Sequence, residues 1–241
     1  MPRTARNSVG GMIYHVLNRA NSRRRLFYTD KDYLAFLQVL LEAHRRFPGV
    51  QILALCVMPN HWHLVLLPGE DGELSRFMRW LTQTHTQRWR HAKHTVGYGA
   101  LYQGRYKSFA VQADDHFLIL CRYVERNALR ANLVTRAEAW RWGSAWIRRH
   151  GGRELNAMLS EWPVDRPSHW TRLLNEPQDD NAPEAVSVRT SIERNRPLGT
   201  PKWVESTTKR LGLTHTLRPP GRPRKQRDET RATNGDVPVN P

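Results

Sequence analysis

The chain has 241 residues, with 38 Lys or Arg against 22 Asp or Glu, which gives a formal net charge of +16. Such a positive surface attracts polyanions, above all nucleic acid phosphates, and a membrane surface ranks well below them. The hydrophobic fraction of 39% is low for a chain that is compact throughout, so it favours one domain with polar appendages.

The cysteines and the lack of long apolar stretches predict a cytoplasmic protein. Cys56 and Cys121 both lie in apolar runs, which suits buried free thiols in a reducing compartment, although a disulfide stays open. The first residues are basic but lack the apolar core of a signal peptide. No apolar stretch is long enough to span a bilayer. We therefore expect a cytoplasmic location, close to the nucleoid when the protein is bound to DNA, and no membrane partner.

The first half of the chain predicts the element order β-α-β-β-α-β. The predicted strands and helices alternate as follows: strand 11–19, helix 29–47, strands 50–57 and 61–67, helix 74–91, strand 105–112. This order is the split β-α-β arrangement, a ferredoxin-like α+β fold whose antiparallel sheet carries the two helices on one face. An extra helix is predicted over 116–131, with Asn132 as a left-handed residue at its end. The tryptophans of segment 140–146 are expected to close the core.

Beyond about residue 163 the chain becomes more polar. Residues 176–184 contain two prolines and predict a linker, and residues 197–213 predict one short helix. Residues 218–241 lack apolar periodicity and predict disorder. The basic residues of that tail predict an arm that contacts DNA, with a solubilising tail as the alternative; they are Arg222, Arg224 and Lys225. The predicted division is a catalytic domain over 1–150, an extension over 151–217 and a tail over 218–241.

Two histidines separated by one tryptophan open the third predicted strand. Because successive strand side chains point to opposite faces, His61 and His63 share a face and Trp62 points to the other side. Two imidazoles about 7 Å apart can bind one metal ion. Taken alone, such a pair is more often incidental than a metal site. His15, in a strand that can neighbour this one, is expected to be a packed histidine rather than a ligand.

A tyrosine and an asparagine on the extra helix add to the histidine pair. Tyr123 and Asn127 are four residues apart, so they share one helix face. A tyrosine hydroxyl can act as a nucleophile and hold a covalent intermediate, and a nearby cation polarises a phosphate oxygen. The two imidazoles and the Asn127 carbonyl oxygen can supply three metal ligands. Glu125 and Arg126, next to these residues, are expected on a solvated helix face.

Three segments together resemble the single-tyrosine HUH transposases, and more closely the REP-associated tyrosine transposases, which act on repetitive extragenic palindromes. The segments are Cys56-Val-Met-Pro-Asn-His-Trp-His-Leu-Val-Leu66, Tyr102-Gln-Gly-Arg-Tyr-Lys-Ser108 and Cys121-Arg-Tyr-Val-Glu-Arg-Asn-Ala-Leu-Arg-Ala-Asn-Leu-Val134. The resemblance covers roughly residues 11–150. Two small departures are Ala128, where the family commonly has proline, and Asn132, where it commonly has glycine.

The resemblance implies a metal-dependent endonuclease and strand transferase that acts on single-stranded, hairpin-forming DNA. In this reading His61, His63 and Asn127 bind Mg²⁺ or Mn²⁺, and Tyr123 attacks the scissile phosphate. The products are a 5′-phosphotyrosine and a free 3′-hydroxyl, which can reverse the step. The protein works as a monomer or a homodimer. The alternatives are a catalytically silent DNA-binding regulator of the same fold, a replication or relaxase nickase, and an RNA-binding protein of RRM type.

Basic residues near these motifs are the predicted DNA contacts. Four arginines crowd around the end of the first strand, and two basic residues alternate onto one face of the fourth. The predicted set, apart from the tail, is Arg19, Arg23, Arg24, Arg25, Arg105, Lys107 and Arg130. By contrast, the tryptophans of segment 140–146 are expected in the core rather than as base-stacking platforms.

Overall fold

The structure, a computed structural model, describes residues 8–97, 99–179 and 181–218. One antiparallel sheet has the strand order β2-β3-β1-β4. Its strands are β1 (Ile13–Arg19), β2 (Gln51–Met58), β3 (His61–Leu67) and β4 (Lys107–Val111). Helix α1 (Asp30–Arg46) connects β1 to β2, and α2 (Glu73–Ala92) connects β3 to β4. The predicted ferredoxin-like α+β fold is confirmed.

The remaining helices follow β4 in the chain. They are α3 (Asp115–Glu125), α4 (Asn127–Arg130), α5 (Ser144–His150), α6 (Gly152–Met158), α7 (Trp170–Asn175), α8 (Pro183–Arg194) and α9 (Pro201–Leu211). In the later part of the chain, α9 and the irregular stretch between α7 and α8 match the expectation. The predicted disorder of the tail concerns residues that, apart from Arg218, lie outside the described part of the chain. Helix α8 begins inside the predicted linker, because a proline is favourable in the first turn of a helix. Within the described residues, no helix has the length and apolarity that crossing a membrane requires.

Helices α1 and α2 cover one face of the sheet and fix the tryptophan of β3. Trp62 is fully buried, and its ring centroid lies 5.7 Å from that of Phe36 in α1. Its indole Nε1–H donates to the Tyr102 hydroxyl over 3.0 Å, and this hydroxyl lies 2.7 Å from Nδ1 of His85 in α2. Because Trp62 lies between the two histidines in β3, its packing against α1 and Tyr102 fixes the position of the strand segment that carries them.

Helix α3 packs on the opposite face of the sheet. Phe117, Leu120 and Val124 are buried there against apolar side chains of the strands, such as Val65 and Phe109. His61 and His63 point to this same face, since Trp62 between them points to the other. The fold therefore places the helix that carries Tyr123 on the side of the sheet where the two imidazoles lie.

The predicted helix over 116–131 is interrupted at Arg126, which separates α3 from α4. The Asn127 side-chain Nδ2 donates to the backbone carbonyls of Tyr123 and Val124, at 3.0 and 3.5 Å. Such a side chain competes for carbonyls that the helical hydrogen bonds use. The expectation for Asn132 is confirmed: it has a φ of 54°, the left-handed conformation that ends the segment.

The expectation of a solvated Glu125 is wrong. Its side chain is 2% exposed, because α5 and α7 pack over the back of α3. The carboxylate accepts from Ser144 Oγ at 2.6 Å and from Trp170 Nε1 at 2.7 Å. The neighbouring Arg126 donates to the backbone carbonyls of Leu174, in the last turn of α7, and Glu176, just after this helix. These contacts bind the tyrosine-bearing helix to α5 and α7.

The predictions for the cysteines and for the tryptophan segment are confirmed. Cys56 and Cys121 are free and buried. Trp142 is 5% exposed and its ring lies parallel to that of Tyr33, with centroids 4.8 Å apart. Trp140, partly buried, donates from Nε1 to the Val57 carbonyl over 3.0 Å. These tryptophans therefore close the core.

The burial of His85 predicts a loss of stability in mild acid. Burial lowers the pKa of His85 to about 3, so between pH 7 and pH 5 the unfolded chain gains a proton at this residue and the folded chain does not. The free energy of unfolding should therefore fall by about 2 kcal/mol over this interval through His85 alone. Urea unfolding of wild type and His85→Leu at both pH values measures this, and an equal pH dependence in the two proteins would contradict it.

Candidate active site

The pairing of β1 with β3 sets the neighbours of the two histidines. Arg19 lies opposite His61 and Leu17 lies opposite His63, so all four side chains are on the face that α3 covers. The two imidazole centroids are 4.9 Å apart. His63 is 3% exposed, while His61 lies nearer the edge and is half-buried. The alternation of strand side chains thus brings the pair together as predicted.

The hydrogen bonds of the histidines leave one nitrogen of each ring for another partner. His61 Nδ1 lies 2.6 Å from the Asn60 side-chain oxygen and donates to it, which leaves the lone pair of this ring on Nε2. His63 Nδ1 lies 2.9 Å from His15 Nε2. His63 Nε2 is buried and has no hydrogen-bond partner among the described residues. A buried nitrogen of this kind fits a metal ligand.

Both histidines are neutral at neutral pH. Burial lowers the pKa of His61 to about 4, with added effects of the Arg19 and Arg130 charges. Burial also holds the pKa of His63 well below its usual range, and the nearby His61 and His15 lower it further. The neutral imidazole is the form that binds metals. The neutral form of both imidazoles therefore also fits a metal-binding site.

Tyr123 lies next to the histidines and in contact with an arginine. Its ring centroid is 6.0 Å from that of His63. Arg130 Nη2 donates to the Tyr123 hydroxyl over 3.2 Å, and its guanidinium carbon lies 4.8 Å from the centroid of the tyrosine ring. Tyr123 is half-buried and Arg130 is exposed. A phenolic hydroxyl and a guanidinium group therefore lie together beside the imidazoles.

Asn127 is close to Tyr123, but its oxygen is already in a hydrogen bond. The side chain is 2% exposed, and Oδ1 accepts from Arg130 Nη2 over 3.1 Å. A cation at Oδ1 would require this guanidinium to move away, since like charges repel. No cluster of three or more His, Cys, Asp or Glu side chains suited to a metal occurs in the described part of the chain. If Asn127 supplied a third ligand, that ligand would be the oxygen of a neutral amide rather than of a carboxylate.

The predicted arginines near the first strand lie close to the histidines. Arg23, Arg24 and Arg25 are exposed in the loop after β1. The N–H groups of Leu26 and Phe27 donate to the carbonyl of Pro59, at 2.7 and 3.1 Å, in the turn that precedes His61. A cavity of about 530 Å³ opens beside this loop. Its lining includes Arg24, Arg25, Tyr28, Trp89 and Arg90.

The structure separates Arg105 from Lys107, so the expectation that they share a strand face is wrong. Strand β4 begins only at Lys107, because its pairing with β1 ends at Leu17. Arg105 precedes the strand and lines a cavity of about 840 Å³ together with residues of α2. Lys107 Nζ donates to the Ile192 carbonyl of α8 over 3.3 Å. The tail residues Arg222, Arg224 and Lys225 lie outside the described residues.

The expectation that His15 is packed rather than a ligand agrees with its position, but its contact with His63 was not foreseen. His15 is fully buried, with its ring centroid 4.9 Å from that of Phe109. It lies on β1 two residues before Leu17, the residue opposite His63. Diagonal neighbours on one face of a sheet are within reach of long side chains. The pairing of β1 with β3 is therefore the feature from which this contact could have been predicted.

Residues 8–127 match the protein family described as "Transposase IS200 like". The chain belongs to the IS200-like transposases. The matched range includes both histidines of β3 and Tyr123, and it ends at Asn127. This IS200-like transposase therefore has a transposase role, and His61, His63, Tyr123 and Asn127 all lie in the matched part of the chain.

Two solved structures are similar to the chain. A REP-associated tyrosine transposase bound to a REP hairpin is 21% identical to this IS200-like transposase, with a TM-score of 0.51 over 70% of this chain and 96% of that chain. At this identity the similarity shows a shared fold. A candidate transposase from Deinococcus radiodurans R1 is 22% identical, with a TM-score of 0.35 over 52% of this chain and 96% of that chain. None of the curated proteins matches the sequence.

Proposed function

We propose that this IS200-like transposase is a metal-dependent nuclease and strand transferase that acts on single-stranded, hairpin-forming DNA through a covalent bond to Tyr123. One observation carries the proposal: the half-buried Tyr123 lies 6.0 Å, between ring centroids, from a histidine whose buried Nε2 has no partner among the described residues. A DNA-binding regulator needs neither a nucleophile nor a free ligand beside it. The similar structure of a REP-associated relative on a REP hairpin suggests the same class of DNA partner.

His61 and His63 would hold a divalent cation through their Nε2 atoms, with Asn127 as a third ligand once Arg130 has moved. Bound there, a cation supplies Lewis acidity to a phosphate oxygen. Imidazole ligands suit Mn²⁺ better than Mg²⁺, which prefers oxygen. We therefore expect Mn²⁺ to support activity at least as well as Mg²⁺.

Tyr123 would cut the strand by transesterification. Its hydroxyl oxygen attacks the scissile phosphorus, the bond from phosphorus to the 3′ oxygen breaks, and a 5′-phosphotyrosine forms. The phenol loses its proton to solvent and the departing 3′ oxygen takes one up, so no other reactant is needed. Because one phosphate ester replaces another, attack by a 3′-hydroxyl reverses the step and joins strands.

The arginines around Tyr123 would bind the DNA backbone. Arg130 contacts the Tyr123 hydroxyl and is exposed, so it can move onto the phosphate and stabilise the charge there during the attack. Arg19 lies beside His61, and the exposed loop with Arg23, Arg24 and Arg25 continues from the same edge. These groups give contacts that depend on phosphate rather than on base sequence. We also propose Arg105 and Lys107 as DNA contacts outside this group. Arg105 lies beside α2 and Lys107 beside α8, on different sides of the sheet.

The division of the chain follows from the same proposal. Residues 1–150 would form the catalytic domain and residues 151–217 an extension that packs on the tyrosine-bearing helix. The tail over 218–241, with its basic residues, would add backbone contacts to DNA. A monomer or a homodimer is compatible with this arrangement, because every residue proposed for the chemistry comes from one chain.

Removal of the metal tests the proposal. The full chain should form an adduct that survives denaturing electrophoresis when it is mixed with Mn²⁺ and a labelled, single-stranded palindromic oligonucleotide. Excess chelator should reduce the adduct at least about 100-fold, since the phosphate loses its Lewis acid. His63→Ala should act in the same way, whereas His44→Ala should not, because the His44 ring contacts the Val50 carbonyl of another part of the fold.

An adduct that forms equally well in chelator would contradict the metal requirement. A protein that binds the hairpin tightly but never forms an adduct, with any divalent metal, would instead support the regulator.

A further inference from the structure

His63, one of the two histidines of β3 proposed to bind the metal, contacts a third histidine, His15, in the interior of the protein. His15 Nε2 lies 2.9 Å from His63 Nδ1, and the two ring planes differ by 23°. His15 is 0% exposed, and Phe109 packs against its ring. A nitrogen–nitrogen distance of this length is a hydrogen bond, so one of the two atoms carries the proton and the other accepts it.

The direction of this hydrogen bond decides whether His63 can bind a metal. If His15 donates, a neutral His63 carries its own proton on Nε2, which then has no lone pair for a cation. If His63 donates from Nδ1, its Nε2 keeps the lone pair. Histidines that bind metals almost always donate their other ring N–H to a fixed acceptor, which sets the tautomer and the ring orientation.

Both rings are buried, with His15 0% and His63 3% exposed, and burial disfavours a charged imidazolium. In either direction the outer nitrogens, His15 Nδ1 and His63 Nε2, remain without a hydrogen-bond partner among the described residues. A cation on His63 Nε2 would therefore satisfy one of two buried atoms that the protein itself leaves unpaired, and only one direction of the bond permits it.

We propose that His15 is a positioning residue, whose Nε2 accepts the hydrogen bond from His63 Nδ1–H and so directs the His63 Nε2 lone pair to the metal. The inference rests on the proposed metal site, and it assigns to the first strand a role in the chemistry of the third. A histidine takes the place that a carboxylate or a backbone carbonyl usually has in such pairs.

Metal binding by the full chain tests this role without any DNA. Calorimetric titration with Mn²⁺ should show His15→Leu to bind about 10- to 100-fold more weakly than wild type. His15→Gln, whose side-chain oxygen can accept the same hydrogen bond, should recover most of the affinity. His44→Leu is the control, because the ring of this partly buried histidine of α1 contacts the Val50 carbonyl rather than the histidine strand, and it should leave Mn²⁺ affinity unchanged.

The tautomer provides a second measurement that a purely structural role would not change. Nitrogen NMR of the metal-free wild type should show His63 protonated on Nδ1 and unprotonated on Nε2. Loss of the acceptor in His15→Leu should raise the fraction of His63 that is protonated on Nε2. A wild-type His63 protonated on Nε2 would overturn the proposal, and this result requires no variant to fold.

The outcomes separate this inference from the proposed function. If His63→Ala does not weaken Mn²⁺ binding, the metal site itself is wrong and the role of His15 fails with it. If His63→Ala weakens binding and a folded His15→Leu does not, the metal site stands and only the positioning role is overturned. Equal losses in His15→Gln and His15→Leu would also overturn it, since the acceptor would then be irrelevant.

Discussion

Tyr123→Phe should abolish the covalent adduct between the protein and DNA and leave hairpin affinity within about twofold of wild type. The substitution removes only the hydroxyl oxygen that would bond to phosphorus. The ring beside His63 and its contact with the Arg130 guanidinium remain. Denaturing electrophoresis of labelled oligonucleotide measures the adduct, and a filter-binding titration measures the affinity.

Tyr14→Phe is the matched control for this experiment. The Tyr14 hydroxyl contacts the Val9 backbone, on the face of the sheet away from α3, so this variant should form the adduct at the wild-type level. An adduct in Tyr123→Phe would show that another residue is the nucleophile. Loss of hairpin binding in Tyr123→Phe would show that the hydroxyl serves recognition rather than chemistry.

Trp62→Ala should have the largest effect on stability, with a loss of about 3–5 kcal/mol in the free energy of unfolding. Trp62 is fully buried between α1 and the sheet, and its removal also leaves the Tyr102 hydroxyl without its donor. Because Trp62 stands between the two histidines, the folded fraction of this variant should also bind Mn²⁺ more weakly. Urea unfolding without metal measures the first effect, and metal titration measures the second.

Two further substitutions define what the Trp62 result means. Trp62→Phe keeps an apolar ring but lacks the N–H, so its loss should be smaller than that of the alanine variant. Trp146→Ala, at a partly buried tryptophan of α5, should cost clearly less. A loss below about 1 kcal/mol in Trp62→Ala would contradict the anchoring role.

The central fold and the grouping of the candidate site residues could be predicted because their patterns are local. Alternation in β3 assigns His61 and His63 to one face, and the spacing of Tyr123 and Asn127 assigns them to one helix face. The sequence also identified Asn132 as the left-handed end of that helix, because its side chain tolerates positive φ.

The parts that were missed depend on contacts between distant segments. Glu125 looks like any charged residue of a helix surface until Ser144 and Trp170 are known to cover it. The contact of His15 with His63 requires the pairing of β1 with β3, which follows from no single segment. Helices α5 to α7 have only six or seven residues each, too few to show a helical period.

The contacts of Glu125 and Arg126 have a consequence for how the enzyme is made. A chain that has been synthesised only to residue 150 contains every residue proposed for cutting DNA, but the Glu125 carboxylate still lacks Trp170 and Arg126 lacks its acceptors at Leu174 and Glu176. The carboxylate then keeps Ser144 as its donor but loses Trp170, and the apolar face that α7 covers stays exposed, so the helix is held less firmly. Tyr123 would therefore reach its final position late in translation, after residue 176 has left the ribosome.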